Sequence, residues 1–144
     1  MVSLVIKSYQ GIPLNKDVIS IRQKVFIDEQ RVPEKLEWDE EDKISMHVVA
    51  YNNKKAVANA RYYQKNNEAY LGRMAVLPDF RRRGIGKVLL KYCINELQKL
   101  PVKQIILHAQ EAVIEFYQQQ GFKVSGDTFY EAQIPHKKMS LNLT

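Results

Sequence analysis

The stretch Tyr70-Leu-Gly-Arg-Met-Ala-Val-Leu-Pro-Asp-Phe-Arg-Arg-Arg-Gly-Ile-Gly-Lys87 decides the fold of this chain. Residues 70–77 are mostly apolar and end before Pro78, which cannot continue a hydrogen-bond ladder, so they predict a buried strand. After Gly84 the apolar residues change to helical spacing, at Ile85, Val88, Leu89, Tyr92, Cys93 and Leu97. The stretch therefore predicts a strand, a short basic turn with two glycines, and a helix.

The turn between this strand and helix predicts an anion-binding loop. The start of a helix has unpaired backbone N–H groups and a partial positive charge, and both attract phosphate. Gly84 and Gly86 lack a Cβ, so a bulky anion can approach the backbone closely. Four cationic side chains can each add a charge-assisted hydrogen bond of about 1.5–3 kcal/mol; they are Arg81, Arg82, Arg83 and Lys87. We interpret the turn as a pyrophosphate-binding loop, with a basic surface turn that caps an ordinary helix as the alternative.

Two common phosphate-binding motifs do not fit this loop. A Walker A loop has four residues between its glycines and Ser or Thr after the lysine, where this chain has Val88. The dinucleotide fingerprint needs a third glycine where Leu89 stands. What remains, Arg81-x-x-Gly84-x-Gly86 between a strand and a helix, resembles motif A of the GNAT superfamily of N-acetyltransferases. That motif binds the pyrophosphate of acetyl-coenzyme A and follows a strand that carries a bulge.

The rest of the chain predicts an α/β fold with a mixed sheet. Predicted strands are one over Val2, Leu4 and Ile6, then 47–51, 56–64, 69–77, 104–109, 122–124 and 138–143. Predicted helices start after Asn15 or Asp17 and continue to Gln30, and span about 84–100 and 111–120. Three strands joined by tight turns predict an antiparallel meander. A strand, helix and strand in succession then predict a right-handed parallel unit.

A second motif strengthens the resemblance to the GNAT superfamily. The family's Phe-Tyr-x-x-x-Gly-Phe element is matched by Phe116, Tyr117, Gly121 and Phe122. The predicted order of elements is similar to the GNAT fold over nearly the whole chain. The resemblance implies one N-acetyltransferase domain over residues 1–144, with a central sheet that is splayed between two parallel strands and flanked by helices.

A finer resemblance is to the stand-alone bacterial ElaA-like predicted acyltransferases. It rests on residues 22–33, on Glu37-x-Asp39, on His47, and on further matches at 107–110, 134–136 and Met139. One position departs from that branch, because His108 stands where we expect Asn or Ser. The acceptors of this branch are poorly defined, so the resemblance names a reaction without naming a substrate.

The resemblance implies an acetyl-coenzyme A-dependent N-acetyltransferase that acts on a primary amine by direct attack in a ternary complex. A non-catalytic acyl-coenzyme A sensor is the alternative. Main-chain groups of residues 74–76 would bind pantetheine and the thioester carbonyl, and plain sheet core is the other interpretation of these residues. The donor-binding residues implied in this way are Met74, Ala75, Val76, Arg81, Arg82, Arg83, Gly84, Ile85, Gly86, Lys87, Gln110 and Phe116.

The same resemblance assigns catalytic and acceptor-binding residues. Tyr117 would protonate the leaving sulfur as a general acid, although a packing tyrosine on an amphipathic helix has the same pattern. The base is open between His136, His47, Glu29, His108 and water. The first helices cover the acceptor side in this family, so the implied acceptor-binding residues are Phe26, Glu29 and Gln30.

An acidic run with the only tryptophan, Trp38, follows the first helix. Its acidic residues are Glu34, Glu37, Asp39, Glu40, Glu41 and Asp42. The run predicts a solvated loop that is held by packing of Trp38. The alternative is an acidic lip that attracts a cationic amine.

The composition limits the location and the partners. No apolar run approaches the ~20 residues of a membrane span, and residues 1–11 lack the apolar centre of a signal peptide. We therefore expect a cytoplasmic protein without membrane contact. The single Cys93 lies in the helical stripe and predicts a buried core residue, with a nucleophile as the weaker alternative.

The net charge of +6 permits nucleic-acid binding without requiring it. Much of the positive excess lies in residues 81–91, to which an anion is already assigned, and no nucleic-acid-binding or zinc-binding pattern accompanies it. We expect a small-molecule amine as acceptor, no nucleic-acid partner and no metal. A homodimer is consistent with the resemblance, because dimers are frequent in the superfamily.

Overall fold

Residues 3–144, which the computed structural model describes, contain seven strands and four α-helices. The strands are β1 (Leu4–Gln10), β2 (Met46–Asn52), β3 (Lys55–Lys65), β4 (Glu68–Val76), β5 (Gln104–Gln110), β6 (Lys123–Glu131) and β7 (Ile134–Asn142). The α-helices are α1 (Lys16–Arg22), α2 (Glu34–Glu37), α3 (Ile85–Leu97) and α4 (Ile114–Gln118). All seven strands form one mixed sheet in the order β1-β2-β3-β4-β5-β7-β6. Val2, which we predicted to belong to the first strand, lies outside the described residues.

Strands β4 and β5 are the only parallel neighbours in the described part of the chain. They pair from Glu68 opposite Gln104 to Tyr70 opposite Ile106, and then they diverge. The crossover between them contains α3, as a parallel connection requires. The predicted meander, the predicted parallel unit and the predicted splay of the sheet are therefore confirmed.

Strand β4 carries a bulge in the half that diverges from β5. Asn59 of β3 lies opposite Ala75, and Arg61 lies opposite Gly72, so β4 has one residue more than β3 between these pairs. Arg73 in the bulge has a φ of 51°, in the left-handed region. The side chain of Asn59 holds the bulge, because its Nδ2 donates to the Arg73 carbonyl at 3.1 Å. The strand before the basic turn is thus bulged, as the resemblance implied.

Two hydrophobic clusters cover the two faces of the sheet. On one face α3 buries its apolar stripe, which consists of Ile85, Leu89, Leu90, Cys93 and Leu97. On the other face the first helical segment packs Val18, Ile21, Val25 and Phe26 against the sheet. Val48 and Val49 of β2 belong to different clusters because successive strand side chains point to opposite faces. Cys93 is fully buried in the first cluster, as predicted.

The first helical segment changes its geometry along its length. Asn15 caps α1 by accepting a hydrogen bond from the Asp17 backbone N–H at 2.8 Å. The helix then continues from Gln23 to Glu29 with π geometry, which is rare and often lies at functional sites. The predicted cap and the predicted continuation are both present. The π-helical segment brings Phe26 and Glu29 to the splayed part of the sheet.

Two predicted helices are shorter than expected. The helix after the basic turn ends at Leu97 rather than near Leu100. The segment predicted as one helix over 111–120 is a 3₁₀ turn, Glu111–Val113, followed by α4.

The last two strands are longer than the predicted 122–124 and 138–143, and they form a hairpin. The turn residues of this hairpin are Ala132 and Gln133, whose φ angles are 49° and 65°. Asn and Gly usually supply positive φ in such turns. This hairpin turn therefore has no local sequence signal, and residues 125–131 and 134–137 were not predicted to be in a strand.

Candidate active site

The divergence of β4 and β5 opens a cavity of about 1130 Å³ between them. Its walls come from the π-helical segment, the acidic run, β3, β4, β5, α4 and the β6–β7 hairpin. Residues 74–76 line it along the edge of β4, which has no partner strand on the β5 side beyond Tyr70. Backbone polar groups on this edge are therefore available to an extended ligand in the gap.

Residues 81–87, which we call the basic glycine loop, form one wall of the cavity and start α3. Gly84 has a φ of 79°, and a Cβ built there meets no atom within 4 Å. The first helical hydrogen bond joins the Val88 N–H to the Gly84 carbonyl at 3.1 Å. The N–H groups of residues 85–87 therefore have no acceptor within the helix. The loop combines open backbone, unpaired donors and cationic side chains, which suits a phosphate group.

The two sequence motifs pack directly against each other. A Cβ on Gly86 would lie 3.4 Å from Cζ of Phe116 and 3.6 Å from Cγ2 of Val76. The lack of a side chain at Gly86 thus allows the start of α3 to lie close to α4 and β4. Phe116 in turn contacts Tyr117 edge to face, with ring centroids 5.0 Å apart. The basic glycine loop and the aromatic element therefore belong to one site.

Arg81 forms a bidentate ion pair with Glu29. Its Nη1 and Nη2 donate to the carboxylate at 2.8 Å and 2.7 Å, and its Nε donates to the Val76 carbonyl at 2.9 Å. The hydrogen bond and charge of Arg81 lower the pKa of Glu29 despite slight burial. A carboxylate with a lowered pKa and both oxygens engaged is a poor proton acceptor. This geometry favours a structural link between the loop and the π-helical segment over a base at Glu29.

The Arg83 side chain does not reach the cavity. Its guanidinium lies 5.1 Å from the ring centroid of Phe80, a contact worth about 0.5–1 kcal/mol at an exposed site. The structure thus places this side chain away from the predicted donor site. Arg82 and Lys87 do line the cavity and supply the cationic side chains in its basic wall.

Tyr117 lies on α4, is buried, and lines the cavity. The rings of Phe116 and Phe122 pack against it at 5.0 Å and 5.9 Å. Burial raises the pKa of the Tyr117 phenol, and the neighbouring Cys93 adds to the increase. The hydroxyl therefore stays protonated at neutral pH and is available as a hydrogen-bond donor.

A hydrogen bond between two glutamines joins opposite walls of the cavity. Nε2 of Gln110, at the end of β5, donates to Oε1 of Gln30 at 2.8 Å. Gln110 was predicted to bind the acetyl donor and Gln30 to bind the amine acceptor, and the structure brings these two side chains together. Phe26 lines the cavity from the same helical segment as Gln30. A ligand that fills the gap must share or displace this hydrogen bond.

The acidic run is folded against three arginines. Arg22 is fully buried and binds the carboxylates of Glu37 and Asp42 at 2.7 Å each. The buried ion network consists of Arg22, Arg61, Arg73, Glu37, Asp39 and Asp42. Its arginines come from α1, β3 and β4, so it joins the acidic run to both the first helix and the sheet. Because three positive charges face three negative charges, the network is electrically balanced.

The network corrects both interpretations of the acidic run. Glu37 and Asp42 are buried, so the run is not a solvated loop. Trp38 does hold it in place, with the Arg22 guanidinium 4.8 Å from a ring centroid. The acidic lip also offers fewer free carboxylates to a cationic amine than the sequence suggested, because most of its carboxylates are paired with Arg or Lys side chains. The acidic residues of the run that line the cavity are Glu37, Asp39 and Glu41, and of these three only Glu41 lies outside the network.

His47 does not reach the cavity. It is 1% exposed on β2, and its Nε2 donates to the Asp42 carbonyl at 3.0 Å. Burial lowers the pKa of His47, although the hydrogen bond and charge of Asp42 oppose this. A neutral imidazole buried beneath the ion network supports that network and cannot contact an acceptor. The prediction of His47 as a base is therefore not supported by its position.

His136 lines the cavity with one ring nitrogen occupied. Its Nδ1 donates to the Ile134 carbonyl at 2.7 Å, because a carbonyl can only accept. In the neutral ring the proton is thus on Nδ1, and Nε2 keeps a lone pair. The residue is 7% exposed, so its ring is held by its surroundings. Among the predicted base candidates, His136 is a buried histidine that lines the cavity and keeps one ring nitrogen free.

Glu131, at the end of β6, was missed by sequence analysis. It lines the cavity, and its Oε1 accepts a hydrogen bond from Nδ1 of His108 at 2.7 Å. Thr128, Phe129 and Tyr130 are all residue types that favour strands, and this run is the signal that could have indicated the strand. The hairpin turn lacks the usual turn residues, so this segment was not assigned.

Two structural features are absent from residues 3–144. No group of three or more His, Cys, Asp or Glu side chains in this range is arranged to hold a metal ion. No helix in the same range is both long enough and apolar enough to cross a membrane.

Comparison with known proteins identifies the family. Residues 7–143 match the acetyltransferase (GNAT) domain. The chain belongs to the GNAT family of acetyltransferases. YjcF, an uncharacterized N-acetyltransferase of Bacillus subtilis, is 34% identical over 125 residues, which cover 86% of this chain and 89% of that protein. This GNAT chain is therefore an acyltransferase.

Solved GNAT structures share its fold. Escherichia coli ElaA has a TM-score of 0.84 at 25% sequence identity, and the match covers 95% of this chain and 99% of that one. A GNAT acetyltransferase from Elizabethkingia anophelis, solved with acetyl-CoA bound, has a TM-score of 0.70 at 14% sequence identity. The match covers 96% of this chain and 97% of that one. The resemblance to GNAT and ElaA-like proteins is confirmed, and so is the predicted fold class.

The GNAT cavity gathers most of the residues that the sequence assigned to it. The donor-binding candidates that line it are Met74, Ala75, Val76, Arg81, Arg82, Gly84, Ile85, Gly86, Lys87, Gln110 and Phe116. The catalytic and acceptor-binding candidates that line it are Phe26, Glu29, Gln30, His108, Tyr117 and His136. Arg83 and His47 are the candidates that lie elsewhere. The individual roles of the lining residues stay predictions.

Proposed function

We propose that this chain is an N-acetyltransferase that moves the acetyl group of acetyl-coenzyme A to the primary amine of a small molecule. The observation that carries the proposal is the gap between β4 and β5, which is bordered by the basic glycine loop, Tyr117 and His136. Both substrates can reach one cavity, so direct attack in a ternary complex is the simplest route. The acetyl-CoA-bound relative with the same fold supports the choice of donor.

The residues of the cavity suit the parts of such a donor. The pyrophosphate would lie on the N–H groups of residues 85–87, with Arg82 and Lys87 as cationic partners. The pantetheine arm would follow the free edge of β4 at residues 74–76, where backbone groups can bind its amides. A backbone N–H at this edge would also stabilise the oxyanion, and one such donor is worth about 10²–10³ in rate.

Gly84→Ala is expected to weaken binding of coenzyme A by about tenfold, or about 1.4 kcal/mol. The new Cβ would occupy the open space beside the backbone from which a phosphate approaches. The positive φ should also lower the free energy of unfolding by about 1–2 kcal/mol. Isothermal titration of coenzyme A and urea unfolding would measure the two effects.

Gly126→Ala is the matched control for this substitution. Gly126 has a φ of 80° and, like Gly84, no atom within 4 Å of a built Cβ, but it lies on β6 and does not line the cavity. We expect a similar loss of stability with unchanged coenzyme A affinity. Equal affinities in the two variants would contradict the assignment of the basic glycine loop to phosphate binding.

The cavity residues can carry out the acyl transfer in sequence. His136 takes a proton from the acceptor ammonium, and the neutral amine attacks the thioester carbon. The new C–N bond forms and the C–S bond breaks with its electron pair on sulfur. The nitrogen then loses its second proton, which reaches the sulfur through solvent. Because a thiol has a pKa near ~8.5 and the pKa of Tyr117 is raised, complete transfer of the phenol proton would be uphill. Tyr117 therefore stabilises the thiolate mainly by donating a hydrogen bond.

Tyr117→Phe is expected to lower kcat by about tenfold or more, because the leaving thiolate loses a charge-assisted hydrogen bond worth about 1.5–3 kcal/mol. The Kd of acetyl-coenzyme A should not change, because the ring and its packing remain. Tyr92→Phe, on α3 and outside the cavity, is the control and should behave as the wild type. Pre-steady-state turnover would establish that chemistry limits the rate. An unchanged chemical step in Tyr117→Phe would remove this residue from the mechanism.

Release of free coenzyme A thiol across a panel of amines tests the function itself. The panel would contain polyamines, amino acids, amino sugars, aminoglycosides and lysine peptides, with a control that lacks acceptor. Turnover on one class would establish the transferase and its substrate type. Binding of acetyl-coenzyme A without turnover would favour the sensor, and absence of binding would refute the proposal. A cytoplasmic location, a homodimer and the lack of a nucleic-acid partner stay predictions.

A further inference from the structure

We propose that Glu131 is a positioning residue that couples His108 and His136 into one proton-accepting unit in the cavity wall. The three residues, which we call the His–Glu–His cluster, come from β5, β6 and β7. The proposal rests on the proposed function, because it takes His136 as the group that contacts the acceptor. It adds two residues to the reaction and gives a reason for the histidine at position 108.

The two oxygens of Glu131 face different histidines. Oε1 accepts the hydrogen bond from Nδ1 of His108 at 2.7 Å, and Oε2 lies 3.9 Å from Nε2 of His136. Nε2 is the nitrogen of His136 that keeps its lone pair, because Nδ1 donates to the Ile134 carbonyl. When this nitrogen takes up a proton, a carboxylate is therefore already close to the new charge.

The ring of Phe129 packs against both imidazoles and fixes their positions. Phe129 contacts His108 edge to face at 4.9 Å and stacks with His136 at 5.9 Å, with 23° between the planes. Phe129 also lies directly opposite His136 in the β6–β7 pairing. The positions of the rings are thus set by strand pairing, as a catalytic group requires.

The charges around Glu131 leave its carboxylate available to the histidines. The hydrogen bond of His108 lowers the pKa of Glu131 despite burial, with smaller effects of the charges on His108, His136 and Arg73. Arg73 on β4 is already paired within the buried ion network. Lys138 on β7 lies opposite His108, and its side chain is exposed. The carboxylate is therefore ionised, and its closest partners are the two imidazoles.

The proton balance of the unit is simple. The acceptor ammonium gives one proton to Nε2 of His136, which becomes an imidazolium beside the Glu131 carboxylate. The neutral amine then forms the C–N bond as the C–S bond breaks. The nitrogen of the new amide loses its second proton, which reaches the thiolate through solvent and gives free coenzyme A thiol. The imidazolium returns the first proton to solvent before the next turnover, so no other reactant is needed. His108 keeps Glu131 oriented, and 47% of its side chain is exposed to solvent.

The test compares Glu131→Gln with Asp127→Asn. Asp127 lies exposed on the same strand outside the cavity, so its variant removes the same charge without touching the cluster. We expect Glu131→Gln to lower kcat/KM for the best amine of the panel by about tenfold or more. Asp127→Asn should match the wild type.

A second measurement needs no acceptor. The chain has three histidines, so ¹⁵N-histidine NMR gives a simple spectrum. In the wild type at high pH, we expect His108 and His136 to be protonated on Nδ1. Glu131→Gln should increase the Nε2-protonated form of His108, because the amide no longer requires a donor on Nδ1. Asp127→Asn should leave this form unchanged.

The outcomes separate this inference from the proposed function. If His136→Asn is inactive while Glu131→Gln matches Asp127→Asn in rate and in the His108 tautomer, the inference is wrong, but His136 is still supported as the base. If Glu131→Gln lowers the rate with no change in the His108 tautomer, Glu131 is merely structural and the inference is again wrong. If His136→Asn retains full turnover, the base assignment itself fails.

Discussion

His136→Asn is expected to lower kcat/KM by roughly 10²–10⁴-fold, the usual range for loss of a general base. Asparagine can still donate from Nδ2 to the Ile134 carbonyl, so the substitution keeps the contact that holds the hairpin and removes Nε2. The acidic limb of the pH–rate profile should disappear with the imidazole. The KM of acetyl-coenzyme A should stay close to the wild-type value, because the basic glycine loop is untouched.

His47→Gln is the matched control for this prediction. His47 is buried outside the cavity, and the amide of glutamine can replace its Nε2 hydrogen bond to the Asp42 carbonyl. We expect some loss of stability but an unchanged kcat/KM for the folded protein. Steady-state kinetics between pH 5.5 and 9, which spans the range where histidine titrates, would measure both variants. A larger loss of kcat/KM in His47→Gln than in His136→Asn would reverse the assignment of the base.

Arg22→Met is expected to lower the free energy of unfolding by about 3–5 kcal/mol, the range for removing one partner of a buried ion pair. Arg22 is 0% exposed, and its loss would leave Glu37 and Asp42 buried with fewer positive partners. Methionine keeps the apolar volume, so the effect reports on the charge. Urea unfolding at pH 7 would measure it.

The pH dependence distinguishes lost charge pairing from lost packing. Burial raises the pKa of Asp42, but the hydrogen bonds and charges of Arg22 and Arg61 outweigh it and hold the pKa below its usual value. A lowered carboxyl pKa stabilises the fold above the unfolded value of about 3.9, and this is lost as the pH falls through the folded pKa. In Arg22→Met the hydrogen bonds and charge of Arg22 no longer lower the pKa of Asp42, so less of this stabilisation remains to be lost in acid. Its deficit relative to the wild type should therefore shrink as the pH falls below about 4.

Lys43→Met controls for the loss of a positive charge near the same loop. Lys43 pairs with Glu40 at 2.9 Å, but both side chains are more than half exposed. Exposed pairs contribute about 0–1 kcal/mol, so little change is expected. A deficit in Arg22→Met that does not change with pH would show that packing, rather than the buried charges, is responsible.

The predictable parts of this fold are those with local signals. The change from strand to helical spacing at Gly84 located β4, the basic glycine loop and α3, because apolar periodicity and glycine act within a few residues. The Phe116–Tyr117 element was found by its resemblance to a short GNAT motif, which is also a local signal. These two motifs pack together at Gly86, so the local signals happened to mark the central contact of the site.

The parts that could not be predicted depend on contacts between distant residues. Arg22, Arg61 and Arg73 lie on separate elements, and no periodicity indicates that they meet the acidic run. The run therefore seemed solvated, although Asp42 is buried. Likewise, Ala132 and Gln133 adopt positive φ without Gly or Asn, which hid the hairpin and with it Glu131. The missed residues follow from tertiary pairing, which one sequence does not encode in a visible pattern.

The short pairing of β4 with β5 leaves the sheet incomplete at its centre. Beyond Tyr70 and Ile106, β4 and β5 no longer pair, so each has an unpaired edge like that of an outer strand. Both are nevertheless inner strands, because β3 lies beside β4 and β7 lies beside β5. An extended donor between them would act as an additional strand and join the two halves of the sheet. Donor binding and completion of the sheet would then be one event, so the substrate itself would become part of the secondary structure of the enzyme.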